Sequence, residues 1–133
     1  MCLDYQKLKV YDDNDSIRIG YKIFFKTQIG YENRFFTPKA KYYQMGEWVD
    51  NKQIKQKTDT IECRSCYPKF KPKYYKAGFH FYSTIPYTTP ASWAPSYDLR
   101  VVECICENIT ATGRQDNINC FVAQSYRLMR EVQ

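Results

Sequence analysis

Four cysteines of this chain have spacings that could support metal chemistry. Cys63 and Cys66 form a CxxC pair, and Cys104 and Cys106 lie two residues apart, so four thiolates could together hold a zinc ion. The alternative is that Cys104 and Cys106 fill the core from one face of a buried strand, because free cysteine is commonly buried. Since the chain has no second CxxC pair, we expect no metal site and no cofactor.

His80 is the only histidine, and any catalytic dyad or triad built on an imidazole would need it. The sequence contains no Gly-x-Ser-x-Gly motif for a nucleophile, and it pairs neither Ser83 nor any cysteine with His80. We therefore interpret His80 as a residue that hydrogen-bonds a neighbouring strand or loop, and we do not expect an enzyme. An enzyme that acts on a nucleotide, such as a hydrolase using His80, is the alternative.

A basic stretch from Lys52 to Lys76 contains eight Lys and Arg residues against two acidic ones, a balance that equals the net charge of +6 of the whole chain. Its last part, residues 69–76, reads Lys-Phe-Lys-Pro-Lys-Tyr-Tyr-Lys, and such a run could stack bases and neutralise phosphates. It could equally be a solvated loop whose lysines keep the protein soluble. No RNP, zinc-finger or Walker motif accompanies it, so we do not expect nucleic acid as the partner. A basic nucleic-acid-binding protein is the third hypothesis.

The composition indicates the fold that must position these residues. Tyr and Phe occur 13 and 8 times, Ile and Val are common, and Leu is rare. Aromatic and β-branched residues suit a pleated surface, so we predict an α+β fold, mostly antiparallel β-sheet with little helix. At 133 residues the chain should form a single ligand-binding domain, 1–133. Without a membrane-spanning apolar stretch or a secretory segment, we expect a soluble intracellular protein with reduced thiols.

The clearest predicted strand covers residues 17–25, where Ile17, Ile19 and further apolar residues alternate with Arg18 and Lys22. This period of two is typical of a half-buried strand whose apolar side chains face the core. Gly30 marks a turn, and residues 31–37 return as the hairpin partner. Two further strands are predicted over residues 8–11 and 74–83.

The rest of the chain gives coarser predictions. Residues 51–72 are polar and basic with two prolines, and we interpret them as a long loop. One helical turn fits around residues 89–93. Residues 99–109 carry apolar side chains at both odd- and even-numbered positions, which indicates a central strand covered on both faces. The pattern of residues 120–132 suits a strand or a helix, and we favour a strand paired with 99–109.

Five short segments occur in an order that resembles the first type of Thoeris anti-defence protein, a small phage family. The segments are Gly20-Tyr21-Lys22, Gly46-Glu47-Trp48-Val49, Gly78-Phe79-His80-Phe81, Leu99-Arg100-Val101-Val102-Glu103 and Phe121-Val122-Ala123. The similarity covers residues from about 21 to 132 by segment order. The bias toward Lys, Asn, Ile and Tyr also suits an AT-rich phage genome.

The resemblance implies a sponge rather than an enzyme. Such proteins bind a cyclic ADP-ribose isomer made by TIR-domain proteins, do not cleave it, and so keep it from activating a bacterial suicide effector. They form dimers or larger homo-oligomers with pockets near subunit contacts, and some also bind small cyclic oligonucleotides. The resemblance therefore places this chain in the cytoplasm of the infected bacterial host.

A cyclic ADP-ribose carries a purine, two riboses and a pyrophosphate, and each suggests its own protein groups. An aromatic ring could stack on the purine, an arginine fork could hold the pyrophosphate, and an asparagine could bond base or ribose edges. Arg18, Arg34, Arg100 and Arg114 all lie in or beside predicted strands, and Gly78 or Gly113 could offer a main-chain amide. Asn119 is an alternative to Asn117. The candidate ligand-binding residues are Phe79, His80, Phe81, Tyr82, Trp93, Arg100, Arg114 and Asn117.

Overall fold

The computed structural model describes residues 3–12, 15–33, 42–51, 60–65, 69–86, 98–115 and 117–132. These residues form a 3-10 turn, η1 (Tyr5–Lys7), and ten strands. The strands are β1 (Lys9–Val10), β2 (Ile17–Thr27), β3 (Gly30–Asn33), β4 (Tyr42–Tyr43), β5 (Trp48–Asp50), β6 (Thr60–Cys63), β7 (Lys73–Lys76), β8 (Phe79–Tyr82), β9 (Leu99–Gln115) and β10 (Ile118–Glu131). All their pairings are antiparallel. The predicted single domain of mostly antiparallel sheet with little helix is confirmed.

Four strands of the eight-stranded sheet close into a ring. β9 pairs with β10 along one edge and with β2 along the other, while β8 pairs with both β10 and β2. The remaining strands extend this ring: β1 lies on β9, β5 on β10, and β3 and β4 continue from β2. Within the described ranges, the structure contains no helix that is both long and apolar enough to cross a membrane.

The interior of the ring is filled largely by aromatic rings, and we call this set the inner core. Phe81 stacks on Phe121 with ring centres 5.6 Å apart, and Tyr126 meets Phe81 edge-on at 5.0 Å. Gly20 on β2 permits this arrangement, because an added Cβ would lie 2.6 Å from the Cζ of Phe121. The other members are Phe24, Tyr43, Val49, Phe79, Val102, Cys104, Cys106, Ile109, Ala123 and Leu128.

The prediction that the apolar side chains of β2 face the core is wrong for the first half of the strand. Ile17 and Ile19 are 64% and 48% exposed, whereas Gly20 and Lys22 are buried. Ring closure explains the reversal, because the side that faces Phe81 needs a glycine and a long side chain that can cross over the ring. The ammonium of Lys22 donates to the carbonyl of His80 at 3.0 Å and lies 5.1 Å from the Phe81 ring centre.

A second group of buried residues, the outer core, packs on the opposite face of the sheet. Here Ile23, Val101 and Val122 are covered by Leu3 and Leu8 from the N-terminal segment and by the β6–β7 hairpin. The thiol of Cys63 on β6 donates to the carbonyl of Leu3 at 2.8 Å. The predicted loop over residues 51–72 therefore contains a strand, because Ile61 and Cys63 have apolar neighbours to cover. Residues 52–59 and 66–68 lie outside the described residues.

The single strand predicted over residues 74–83 is wrong, because Ala77 and Gly78 separate β7 from β8 and the two strands belong to different sheets. Most other strand predictions are confirmed. β1 lies within the predicted 8–11 strand, and β2 and β3 form the predicted hairpin as far as Asn33. β9 is covered on both faces over much of its length and is longer than predicted, and β10 pairs with it as the favoured interpretation required. The helical turn predicted around residues 89–93 lies outside the described residues.

Candidate functional site

An open groove of about 590 Å³ lies where the β9–β10 hairpin, the N-terminal segment, the start of β2 and the residue after β8 meet. Its volume falls within the usual range for small-molecule pockets. The lining residues are Lys7, Lys9, Tyr11, Arg18, Ser83, Thr112, Gly113, Arg114, Asn119 and Cys120.

Strand register brings several of these side chains onto one face. Lys9 on β1 is opposite Thr112 on β9, and Thr112 is opposite Phe121 of the inner core. Arg114 and Asn119 are also directly opposite each other, two residues further along the β9–β10 hairpin. Because directly opposite residues of antiparallel strands share a face, the groove continues the surface of the inner core beyond the ring.

The N-terminal segment is held against β9 by main-chain hydrogen bonds at both of its ends. The amide of Asp4 donates to the carbonyl of Arg114 at 2.8 Å, and that of Tyr11 donates to the carbonyl of Thr110 at 2.9 Å. The hydroxyl of Tyr11 also lies 3.4 Å from Oγ1 of Thr112. These bonds carry Lys7 and Lys9 to the groove together with the Tyr11 ring.

The groove is strongly basic. Four of its lining residues, Lys7, Lys9, Arg18 and Arg114, are cationic, and its lining includes no carboxylate. Among the residues that the structure describes, none of these four side chains forms an ion pair. A concave surface lined by one sign of charge concentrates ligands of the opposite sign. The groove is therefore suited to an anion.

Arg114 carries an unsatisfied hydrogen-bond donor at this site. Its Nη2 donates to the carbonyl of Asn117 at 3.0 Å, which fixes the guanidinium against the β9–β10 turn. Its Nε is buried and has no acceptor among the described residues. A buried donor without a partner is costly, so an acceptor atom delivered by a ligand would relieve that cost.

Arg18 is positioned by an aromatic ring instead of a carboxylate. Its guanidinium carbon lies 5.8 Å from the centre of the Phe121 ring, within the range of a cation–π contact. No carboxylate among the described residues pairs with this guanidinium, so its five N–H donors can bind a ligand.

The structure does not bring the predicted aromatic residues to the groove. Phe79 and Phe81 belong to the inner core and Tyr82 to the outer core, and all three are buried. Their strand, β8, lies between β10 and β2, and the inner core and the outer core cover its two faces, so all four of its side chains are buried. Trp93 lies outside the described residues.

His80 is buried and occupied by a structural hydrogen bond. Its Nε2 lies 3.0 Å from the hydroxyl of Tyr75. Burial, helped by the nearby charge of Lys22, lowers the pKa of His80 to about 3. The imidazole is therefore neutral at physiological pH, and it has no contact with the groove lining.

The predicted polar residues separate into two places. Arg114 and Asn117 lie together at the β9–β10 turn, with the carbonyl of Asn117 on the guanidinium of Arg114. Arg100 lies near the opposite end of β9, where it pairs with Asp98 at 2.8 Å and with Glu131 at 3.0 Å. Arg100 is thus engaged in an ion-pair network and is not brought to the groove.

Sequence reasoning assigned no ligand-binding role to six groove residues, Lys7, Lys9, Tyr11, Ser83, Thr112 and Cys120. The two lysines occur in a polar segment whose position over β9 depends on pairing across about a hundred residues. No local pattern in the sequence carries that information.

The described cysteines are buried thiols. Cys63, Cys104, Cys106 and Cys120 are all buried, and burial raises the pKa of Cys104 to about 12 and that of Cys106 still further. Such thiols stay protonated at neutral pH and are poor metal ligands. No group of three or more metal-binding side chains occurs among the described residues, and Cys66 lies outside them.

No protein-family model, curated protein or solved structure matches this chain.

Proposed function

We propose that this protein binds a cyclic ADP-ribose isomer in the basic groove and retains it without cleaving it. One observation carries the proposal: four cationic side chains surround a groove without carboxylates, and one of them, Arg114, has a buried donor with no acceptor. A pyrophosphate supplies oxygen atoms for such donors, and a guanidinium fork binds it with two parallel hydrogen bonds.

The remaining lining residues suit the sugar and the base. Tyr11 presents a partly exposed ring at the side of the groove, on which a purine could stack. Asn119 and Ser83 lie together, because the amide of Ser83 donates to the carbonyl of Asn119 at 2.8 Å. Their side chains offer both donors and acceptors for ribose hydroxyls or for the edge of a base.

Retention is favoured over turnover by the chemistry of the lining. The groove lining contains no histidine and no carboxylate that could act as a general base. His80, on which the hydrolase alternative depends, is buried, neutral and hydrogen-bonded to Tyr75. The thiol of Cys120 is directed to the carbonyl of Ile118 at 3.4 Å.

The biological setting of the proposal comes from the sequence resemblance to Thoeris anti-defence proteins. A phage protein of this kind, acting in the cytoplasm of the infected bacterium, would withhold the signal of a TIR-domain protein from its effector. The role as a sponge then needs tight binding and slow release rather than catalysis.

We further propose that two or more copies associate through the outer face of β2, β9, β10 and β5. Ile19, Ile105, Arg127 and Trp48 are opposite one another in one row across these strands. Ile19 and Trp48 are exposed. The neighbouring row contains Glu107, so a second copy related by a twofold axis could place each Arg127 against a carboxylate.

Light scattering tests the proposed association. The wild type should be an oligomer, and Ile19→Lys should convert it to a monomer. If the wild type is a monomer at micromolar concentration, the proposed association is wrong.

Calorimetry with purified cyclic ADP-ribose isomers tests the proposal directly. We expect stoichiometric binding of at least one isomer, and denaturation of the complex should release that isomer with its mass unchanged. Release of a linear or hydrolysed product would instead establish the enzyme alternative. If no isomer binds, the groove has another ligand and the proposal is wrong.

A further inference from the structure

The basic, aromatic run over residues 69–76 takes no part in the groove, yet it forms a distinct exposed surface. Phe70 is 59% exposed and Tyr74 is 53% exposed, which is unusual for side chains of this size. The hairpin surface, as we call it, consists of Lys69, Phe70, Lys71, Tyr74 and Lys76, all of them exposed.

Alternation along β7 explains why Tyr74 faces outward. Tyr75 next to it is buried in the outer core, where its hydroxyl accepts a hydrogen bond from the amide of Leu3 at 3.2 Å and contacts His80. Side chains of adjacent strand residues point to opposite faces, so Tyr74 and Lys76 face away from the core. Tyr75 thereby anchors the strand that presents them.

The loop that carries Phe70 is also held in place. The hydroxyl of Tyr5 in η1 donates to the carbonyl of Lys71 at 2.6 Å, and the rings of Tyr5 and Phe70 lie with centres 6.4 Å apart. The ammonium of Lys73 donates to the carbonyl of Tyr5 and lies 4.4 Å from its ring centre. Phe70 is therefore presented on an ordered support, which lowers the entropy lost when a ligand stacks on it.

The charge of this surface is positive. Glu62, the acidic residue opposite Tyr74 in the β6–β7 hairpin, forms an ion pair with Arg64. Lys69 and Lys71 form no ion pair among the described residues. Their charges are available to a polyanion.

We propose that the hairpin surface binds single-stranded nucleic acid. Bases stack on Phe70 and Tyr74, and the lysines between and beside them neutralise the phosphates. A purely acidic peptide without apolar side chains would use the lysines alone, and a duplex keeps its bases stacked on one another, so neither uses the two rings. The surface offers no amide or guanidinium fork of its own for reading base edges, so binding is tolerant of sequence. This activity goes beyond retention of a small nucleotide and does not depend on it.

Fluorescence anisotropy of labelled dT20 and dA20 with the full chain tests the proposal. Both oligonucleotides should bind, and log K should fall with log salt at a slope of about −1.4, as expected when two lysines neutralise phosphates of a single strand. Phe70→Ala and Tyr74→Ala should each weaken binding by roughly 5- to 150-fold, the range for loss of one stacked base. Both rings are exposed, so these variants should fold.

Matched controls separate stacking from simple charge attraction. Tyr42→Ala removes an exposed ring on β4, outside the hairpin surface and the groove, and should bind the oligonucleotides like the wild type. Phe70→Ala and Tyr74→Ala should in turn retain cyclic ADP-ribose isomers normally. If both ring variants bind dT20 as tightly as the wild type, or if the wild type does not bind it, the proposal is overturned. Equal competition by a duplex of the same length would also overturn it, because it would indicate a site for polyanions in general.

Discussion

Replacement of Arg114 by alanine is the sharpest test of the groove. The Nε of Arg114 is buried without an acceptor, so a phosphate oxygen that reaches it gains a hydrogen bond without displacing one made by the described protein. A hydrogen bond to a charged group contributes about 1.5–3 kcal/mol. Arg114→Ala should therefore weaken binding of a cyclic ADP-ribose isomer by roughly 13- to 160-fold.

Arg114→Lys separates the fork from the charge. The lysine keeps one positive charge in the groove but loses the planar donor set and the bond from Nη2 to the carbonyl of Asn117. It should restore only a small part of the affinity. Arg130→Ala is the matched control, because Arg130 is an exposed arginine on β10 that pairs with Glu103 outside the groove.

Isothermal titration calorimetry at two salt concentrations measures these effects, with circular dichroism and thermal melting as checks of folding. Equal dissociation constants for wild type and Arg114→Ala, in a variant that melts normally, would refute the assignment of Arg114. A similar loss in Arg130→Ala would show that net charge alone governs binding, which contradicts a specific site.

Three further changes test the fold that supports the site. Because burial lowers the pKa of His80 to about 3, the unfolded chain alone gains this proton as pH falls through about 6.5. The free energy of unfolding should therefore fall by about 1.6 kcal/mol in total between pH 6.5 and 5, with a slope that approaches about 1.4 kcal/mol per pH unit at the acidic end. In urea titrations, His80→Gln should lack this part of the pH dependence of the unfolding free energy. If the variant shows the same pH dependence as the wild type, His80 is not its source. Gly20→Ala should destabilise the protein by about 1–3 kcal/mol, since its Cβ would meet the Phe121 ring at 2.6 Å; a wild-type melting temperature would argue against the closed ring. Glu131→Gln should lower the midpoint of urea unfolding slightly by weakening the partly exposed pairs with Arg100 and Lys26, and no change would leave those pairs without a role in stability.

Strand pairing near in sequence could be predicted from local pattern. The alternation of apolar and polar residues, together with a turn residue, was enough to predict the β2–β3 hairpin. Apolar residues at both odd- and even-numbered positions were enough to predict that β9 is covered on both faces. In both cases the evidence lies within one or two strands. The same kind of signal favoured β10 as the partner of β9.

Features that depend on ring closure could not be predicted in this way. Arg18 and Lys22 looked like the polar face of β2, but Lys22 and the neighbouring Gly20 face the aromatic interior. Gly20 did carry a signal, because a glycine within a strand often marks close approach of another group. The identity of that group, Phe121, became clear only when β10 was placed beside β8 and β9.

Only the part of the candidate site that is formed by residues close together in the sequence could be predicted. Arg114 and Asn117 belong to one turn, and sequence reasoning selected both. The aromatic residues of β8 were selected for their type, yet their strand has neighbours on both edges and they are buried. Lys9 and Arg18 reach the groove through long-range pairing of β1 and β2 with β9, which no local pattern reveals.

The supports of the four cations differ, and the difference indicates where affinity should arise. Arg114 is fixed by the carbonyl of Asn117, and Arg18 lies against the Phe121 ring, so both guanidinium groups are oriented before a ligand arrives. Lys7 and Lys9 are exposed side chains on a segment fixed through its main chain, and ordering them costs rotamer entropy. Discrimination among anions should therefore depend mainly on the arginines, whereas the lysines should mainly accelerate association and make it sensitive to salt. We therefore expect a groove of this construction to distinguish a pyrophosphate from a simple anion by geometry and to attract both by charge.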